Sequence, residues 1–358
     1  MIYKQDFEGA KKNWKKFWKQ EYIGRPFLCV TSPKRDAIQQ PFSWSPADSY
    51  RACMRGTLRQ SLEQYERFLQ TTYFGAESIP AIDIQLGPDQ YAAFLGAKLE
   101  TREELSTTWA HPIVQDWKEF NVKIDRSENS ALDILCKNMK EAALWGKDKF
   151  IVNMPDLHSN MDALSALRGP EDLCYDIMDT PEEVHSVLKE VRATYQEIFH
   201  ILYEAGNMKE TGSCSWAPLY CEEGKFAVTQ CDFSCMLSPR QAREFVIPAI
   251  EEEAQFLDCC IYHYDGKGAL GHLDDILAID RIHAVQWVPG AGQPRTIEWM
   301  DLLHKIQKAS KSLWIYDWTV QEIKEHYREL DPSKVLFSLS VSSQDEAEDL
   351  IEFLEKNG

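Results

Sequence analysis

Short apolar runs recur along the chain, and most of them end at a polar turn or at a helix start. Runs of this length that are rich in β-branched and aromatic residues predict buried strands. They lie at residues 27–30, 81–86, 150–154, 213–217, 227–233, 260–264, 283–288, 313–316 and 335–341. Between them, Thr180-Pro181-Glu182-Glu183 predicts the start of a helix to about residue 205, because Pro and acidic side chains are favoured in the first turn.

Strands that alternate with helices predict an α/β fold with a parallel sheet. About eight such units over 358 residues favour a (β/α)8 TIM barrel over an open doubly wound sheet. No low-complexity linker and no internal repeat divides the sequence. We therefore expect one domain over residues 1–358, with two domains as the alternative.

The N-terminal stretch 6–20 is amphipathic, with Phe7, Trp14, Phe17 and Trp18 spaced among lysines. This pattern predicts a helical extension of the barrel whose apolar side caps a core. A helix that lies on a membrane surface is the alternative. The short apolar stripe and the acidic overall charge favour the first interpretation.

The composition of the chain disfavours some classes of binding partner. Lys and Arg number 39 against 57 Asp and Glu, so the formal net charge is −18, which disfavours nucleic acid. No apolar run approaches the roughly 20 residues of a membrane span, and the first residues lack the apolar core of a signal peptide. The ten cysteines form no CxxC pair, and adjacent Cys259 and Cys260 are expected to be buried thiols. We expect a reduced, cytoplasmic protein that binds no membrane.

Polar side chains cluster at the ends of two predicted strands. Gln230 and Asp232 share one face of the first strand, and His263 and Asp265 share one face of the second. Since α/β proteins bind ligands at the carboxyl ends of their strands, these side chains are expected to converge. Asp232, His263 and Asp265 are the predicted catalytic residues, and Gln230 is predicted to bind substrate.

Further residues are predicted to bind substrate. Asp156 and His158 follow the strand at 150–154, although Asp156 could instead cap the next helix. Gln286 and Trp287 alternate, so only one of them faces the interior. Aromatic residues at or near strand ends are typical of core filling, but this many at one rim suits a flat organic substrate; they are Trp216, Tyr220, Tyr264, Trp287, Tyr316 and Trp318.

The order and spacing of several segments resemble the uroporphyrinogen decarboxylase superfamily, which includes the porphyrin decarboxylase and the methylcobamide:coenzyme M methyltransferases. The matching segments are Arg168-Gly169-Pro170-Glu171-Asp172-Leu173, Pro181-Glu182-Glu183-Val184, Asp232 with Ser238-Pro239, Phe245 and Pro248, His263-Tyr264-Asp265-Gly266, and Ser343-Gln344-Asp345-Glu346-Ala347. The resemblance implies a (β/α)8 barrel with its site at the carboxyl ends of the strands.

The two best-known chemistries of that superfamily need different residues. The arginine-rich N-terminal loop of the porphyrin decarboxylase has no counterpart here. The methyltransferases carry a zinc site with a His-x-Cys-Gly strand end, because zinc lowers the pKa of a thiol. This sequence has Asp265 in place of that Cys. His263 and Asp265 therefore either bind a metal through a harder ligand set or form a hydrogen-bonded pair that orients substrate or transfers protons.

The resemblance implies a methyltransferase-like enzyme that acts on a small methylated or methoxylated compound. Zinc is the implied metal, with His263 and Asp265 as ligands. A corrinoid would have to arrive on a partner protein, because the sequence lacks the Asp-x-His-x-x-Gly signature of a cobalamin-binding domain. A decarboxylase or another lyase, and a non-catalytic ligand-binding barrel, are the alternatives. A homodimer is a further expectation.

Overall fold

The computed structural model of the protein describes residues 1–37, 46–101 and 107–358. The strands within these ranges are β1 (Phe27–Pro33), β2 (Thr72–Ala76), β3 (Ala81–Ile82), β4 (Lys98–Glu100), β5 (Trp109–His111), β6 (Ile151–Val152), β7 (Ser213–Cys214), β8 (Tyr220–Cys221), β9 (Phe226–Thr229), β10 (Cys259–Asp265), β11 (Ala284–Val288), β12 (Ser312–Ile315) and β13 (Val335–Ser340).

Helices alternate with these strands over the same ranges. They are α1 (Phe7–Phe17), α2 (Pro46–Arg55), α3 (Leu58–Thr71), α4 (Gln90–Phe94), α5 (Ala131–Trp145), α6 (Asn160–Arg168), α7 (Pro170–Asp179), α8 (Pro181–Ala205), α9 (Met208–Thr211), α10 (Pro239–Gln241), α11 (Ile247–Phe256), α12 (Leu273–Leu277), α13 (Met300–Lys308), α14 (Val320–His326) and α15 (Gln344–Asn357). Short 3-10 turns connect several of them, including one at Asp232–Met236.

The largest sheet has the strand order β2-β1-β13-β12-β11-β10-β9. Neighbours from β1 to β9 pair in parallel, and β2 is an antiparallel edge strand. The strands β3 and β6 form a separate parallel pair. The α/β fold with a mainly parallel sheet is therefore confirmed. The ladders assigned within the described ranges do not join into a closed ring of eight strands.

Each face of the large sheet packs against its own apolar cluster. The larger cluster lies between the sheet and the helices and contains Val30, Tyr262, Val285 and Phe337. The smaller cluster contains alternate residues of the same strands, including Ile261 and Trp314. Period-two alternation along each strand explains this division, because neighbouring side chains point to opposite faces.

The N-terminal helix α1 belongs to the smaller cluster. Trp14 and Phe17 are buried in it, and their rings meet edge to face at 5.4 Å. The indole Nε1 of Trp14 donates a hydrogen bond to the backbone oxygen of Glu77 at 2.9 Å. The prediction that this helix caps a core is confirmed. None of the described helices combines the length and the apolar character needed to cross a membrane.

The cysteines depart from expectation at one position. Cys221 and Cys259 form a disulfide that joins the end of β8 to the start of β10, with their Cα atoms 6.5 Å apart. Cys259 is therefore not a free thiol as predicted, whereas Cys260 is a buried free thiol. Pairing between residues 38 positions apart depends on tertiary structure, which local spacing does not encode.

Candidate functional site

Strand β10 places two of the predicted residues at the site. Its burial alternates near the carboxyl end, so that Tyr262 and Tyr264 are buried while His263 and Asp265 are only partly buried. The parallel register with β11 sets His263 beside Gln286. Alternation and strand pairing thus place the side chains of His263 and Gln286 next to each other on one face of the sheet.

Three side chains form a potential metal-binding cluster. Asp232, His263 and Asp265 each offer one ligand atom, and these atoms all lie within 4.8 Å of one another. Nδ1 of His263 is 2.6 Å from Oε1 of Gln286, an acceptor, so Nδ1 carries the proton and donates it. In the neutral ring, this leaves the lone pair of Nε2 available as a ligand. Gln286, only 4% exposed, therefore fixes the ring orientation.

The backbone at Asp232 is held by the carboxylate of Asp162 on α6. The backbone N–H of Asp232 donates to Oδ2 of Asp162 at 3.0 Å, and the N–H of Phe233 donates to Oδ1 at 2.8 Å. These bonds leave the Asp232 side chain free to face the cluster. Its Oδ1 is a buried atom without a hydrogen-bond partner among the described residues. A buried carboxylate oxygen in this position fits a cation that supplies the missing interaction.

The pKa of Asp232 is raised to about 6. Burial is the largest cause and the charge of Asp162 adds to it, while His158 and His263 act in the opposite direction. Close to neutral pH this carboxyl can therefore both hold and release a proton. Binding of a cation would favour its ionised form and reverse the shift.

A buried ion pair lies beside the cluster. Nε2 of His158 is 3.0 Å from Oδ2 of Asp156, and Nδ1 is 3.4 Å from Asp162 and 3.9 Å from Asp232. Burial alone would lower the pKa of His158, but its charge attraction to Asp156 and its hydrogen bonds raise that pKa well above the ordinary value. His158 is therefore an imidazolium at neutral pH, surrounded by three carboxylates.

Asp156 is fixed by amide side chains from two directions. Nε2 of Gln230 donates to its Oδ1 at 2.8 Å, and Nε2 of Gln90 donates to its backbone oxygen at 2.6 Å. Burial would raise the pKa of Asp156, but the charge and hydrogen bond of His158, the charge of His263 and the hydrogen bond from Gln230 together outweigh it, and the pKa is lowered. The side chain of Asp156 therefore lies within the site, where Oδ1 contacts Gln230 and Oδ2 contacts His158. Gln230 holds Asp156 in place and is itself 1% exposed.

The donor set has a defined metal preference. Two carboxylates and one imidazole fit a divalent cation of borderline to hard character, including zinc in a site with open positions.

Cys235 is an exposed free thiol in the same turn as Asp232. Its pKa is raised first by burial and then by the charges of Asp232 and Asp265. In the metal-free site Cys235 is thus a protonated thiol at neutral pH.

The predicted aromatic residues separate into two groups. The Trp216 ring meets the His263 ring edge to face at 5.1 Å, and the Tyr316 ring lies 6.1 Å from that of Trp314, which is 5.6 Å from that of Trp216. Tyr264 and Trp287, whose rings are 5.8 Å apart, are buried in the larger cluster on the helical side of the sheet. The structure does not bring Tyr264 and Trp287 to the metal-binding cluster. Each is the sequence neighbour of a residue that faces this cluster, so its own side chain points to the opposite face of the sheet.

The two remaining aromatic candidates also lie in cores. Trp318 belongs to the larger cluster and Tyr220 to the smaller one, where its ring is 5.9 Å from that of Phe7. Of the six aromatic residues at strand ends, Trp216 contacts His263 of the metal-binding cluster, and Tyr316 lies next to Trp314 and belongs to neither apolar cluster. The predicted role of these two in substrate binding stays a prediction.

Sequence reasoning missed Asp162 and Cys235. Asp162 lies four residues after His158, and this spacing places both on one side of the start of α6. The four-residue spacing of His158 and Asp162 is a signal from which their proximity could have been predicted. Cys235 gave no comparable signal, because its place depends on the 3-10 turn at Asp232–Met236.

The fold and the cluster define an α/β protein with a candidate metal site at the carboxyl ends of parallel strands. No protein-family model matches the sequence, and no curated protein sequence matches it. Among solved structures, it is similar to a methyltransferase from Methanosarcina mazei, with a TM-score of 0.63 and 10% sequence identity. The alignment covers 97% of this chain and 98% of that one. At this identity the likeness shows a shared fold.

Proposed function

We propose that this chain is a metal-dependent enzyme of the uroporphyrinogen decarboxylase superfamily that transfers a methyl group of a small methylated compound. The observation that carries the proposal is the cluster of Asp232, His263 and Asp265 at the strand ends. The methyltransferase named among solved structures supports the reaction class. In this proposal residues 1–358 form one (β/α)8 barrel domain, whose site lies at the end where such enzymes place theirs.

The residues of the cluster take separate roles. His263 would bind the metal through Nε2, oriented by Gln286, while Asp232 and Asp265 contribute carboxylate oxygens. When bound, zinc supplies Lewis acidity that favours a thiolate or polarises an oxygen of the substrate. His158 and Asp156 remain outside the ligand set, and His158 can donate a proton toward the cluster. The methyl carrier would be a corrinoid on a partner protein, and a homodimer is part of the same proposal.

The test is the metal content of protein purified without chelator. We expect about one divalent ion per chain in the wild type, and strong loss in Asp265→Ala and in Asp232→Asn. Asp280→Asn is a matched control, because Asp280 is an exposed aspartate in a turn away from the cluster. Equal metal content in all four proteins, or no metal in the wild type, would reject the metal-dependent mechanism.

A second candidate is a lyase that protonates a carbanion, and the raised pKa of Asp232 favours it. In that case Asp232 is the proton donor and the charged His158 stabilises developing negative charge. Release of carbon dioxide from organic acids separates the two candidates. Release of carbon dioxide that is undiminished in Asp232→Asn would exclude the lyase role for this residue.

A further inference from the structure

A separate cavity adjoins the cluster at the ends of β1, β12 and β13. It has a volume of about 370 Å³, within the usual range for a small-molecule site. Trp216 and Tyr316 line it, and the Trp216 ring also meets the His263 ring edge to face at 5.1 Å. The cavity and the cluster therefore share a wall.

The described side chains that line the cavity are uncharged. Among the described residues, the cavity wall carries no Asp, Glu, Lys, Arg or His. It presents aromatic faces from Phe74, Trp216 and Tyr316 and hydroxyl groups from the strand ends. An anionic ligand group that entered this cavity would lose its water without gaining a charged partner from the wall.

The hydroxyl groups have protons to donate. Oγ of Ser338 accepts a hydrogen bond from Nε1 of Trp314 at 2.7 Å, so its own O–H is not used in that bond. Thr31 and Ser340 pair at 2.8 Å, and only one of their two hydroxyl protons is used between them. A ligand with oxygen acceptors and a flat apolar body matches these donors and rings.

We propose that this cavity is the substrate subsite and that it takes an uncharged aromatic methyl ether. The inference rests on the proposed function in that its ligand is the methyl-group substrate. The ring lies against Trp216 and Tyr316, and oxygen acceptors meet Ser338 and the Thr31–Ser340 pair. A cavity of about 370 Å³ holds one substituted ring and is too small for a tetrapyrrole.

The test is calorimetric titration of the full chain at pH 7 with two matched probes. One is 2-methoxyphenol, which is neutral, and the other is 4-hydroxy-3-methoxybenzoate, which adds a carboxylate to the same ring. We expect the neutral probe to bind at least tenfold more tightly. Tighter or equal binding of the carboxylate, or no binding of either probe, would overturn the proposal.

Two variants locate the ligand. Ser338→Ala should weaken binding of 2-methoxyphenol about three- to tenfold, the usual effect of one lost hydrogen bond, whereas Ser186→Ala on the exposed face of α8 should not change it. Ser340→Lys should shift the preference toward the carboxylate. Unchanged affinities in both cavity variants would place the ligand elsewhere and reject the subsite.

Binding is measured with metal-depleted and metal-loaded protein, so the two proposals can fail separately. If the neutral probe binds but the wild type retains no metal, the proposed mechanism fails and the subsite stands. If metal is retained at the cluster but neither probe binds, the subsite fails.

Discussion

At the scale of single residues, Glu253 is a buried ionisable group that lies outside the metal-binding cluster. This carboxyl on α11 is 4% exposed, and its Oε1 accepts from Oγ of Ser159 at 2.5 Å and from Nδ2 of Asn160 at 3.0 Å. Asn160 also donates to the backbone oxygen of Gln230, which holds Asp156. Glu253 is thus connected to the site through the first residues of α6.

The pKa of Glu253 is raised from 4.5 to about 7. Burial is the largest cause, and the hydrogen bonds from Ser159 and Asn160 oppose it. A raised carboxyl pKa means that the folded state binds a proton more tightly than the unfolded state. The stabilisation is therefore complete below pH 4.5 and is lost as the pH rises through about 7.

We predict that Glu253→Gln is more stable than the wild type at pH 8 and similar to it near pH 5. The upper bound on the difference is roughly 3 kcal/mol, the free energy that corresponds to the shift in pKa. Urea unfolding across this pH range measures it. Glu251→Gln, an exposed neighbour on the same helix, is the control. A stability difference that does not change with pH would contradict the assignment.

At the scale of elements, α1 is attached by polar as well as apolar contacts. Nδ2 of Asn13 donates to Oε1 of Glu77 at 2.8 Å, and Arg25 donates to both oxygens of the same carboxylate at 2.8 and 2.9 Å. Glu77 is fully buried and also accepts from the backbone N–H of Leu28. The N-terminal helix is therefore joined to β1 through one buried carboxylate.

This attachment predicts a large effect of Trp14→Ala. The indole is 1% exposed, so the substitution leaves a cavity and removes the hydrogen bond to Glu77. We expect the free energy of unfolding to fall by about 3–5 kcal/mol. Trp109→Ala, at a side chain that is 57% exposed, should change it by no more than about 0.5 kcal/mol. Equal small effects in urea unfolding would mean that α1 is not part of the cooperative unit.

How much of the structure could be predicted from the sequence depends on the kind of signal. The Pro and acidic residues after Thr180 predicted the start of α8, and alternation placed His263 and Asp265 on one face of β10. Those signals are local and periodic. The contact between Asp162 and the backbone of Asp232 spans 70 residues, and the Cys221–Cys259 pairing is also long-range. Such contacts arise from packing, which no pattern within one element specifies.

At the scale of the whole molecule, charge is the dominant feature. The net charge of −18 means that acidic residues repel one another over most of the surface at neutral pH. Many exposed acids pair with Lys or Arg, as Asp345 does with Arg35 and Glu197 does with Arg126. Exposed pairs of this kind contribute little to stability, so they offset only part of the repulsion.

Salt should therefore stabilise the folded chain at neutral pH. Raising NaCl from 0.05 to 0.5 M shortens the Debye length from roughly 14 to 4 Å and screens the long-range repulsion. We predict an increase of about 1 kcal/mol in the free energy of unfolding at pH 7.5, roughly 2 °C in Tm. Near pH 5, close to the sequence pI of about 5.0, the increase should be much smaller because the net charge is near zero. Thermal unfolding at both pH values measures the difference. A decrease at pH 7.5, or an equal increase at pH 5, would show that local ion pairs or general salt effects outweigh the net charge.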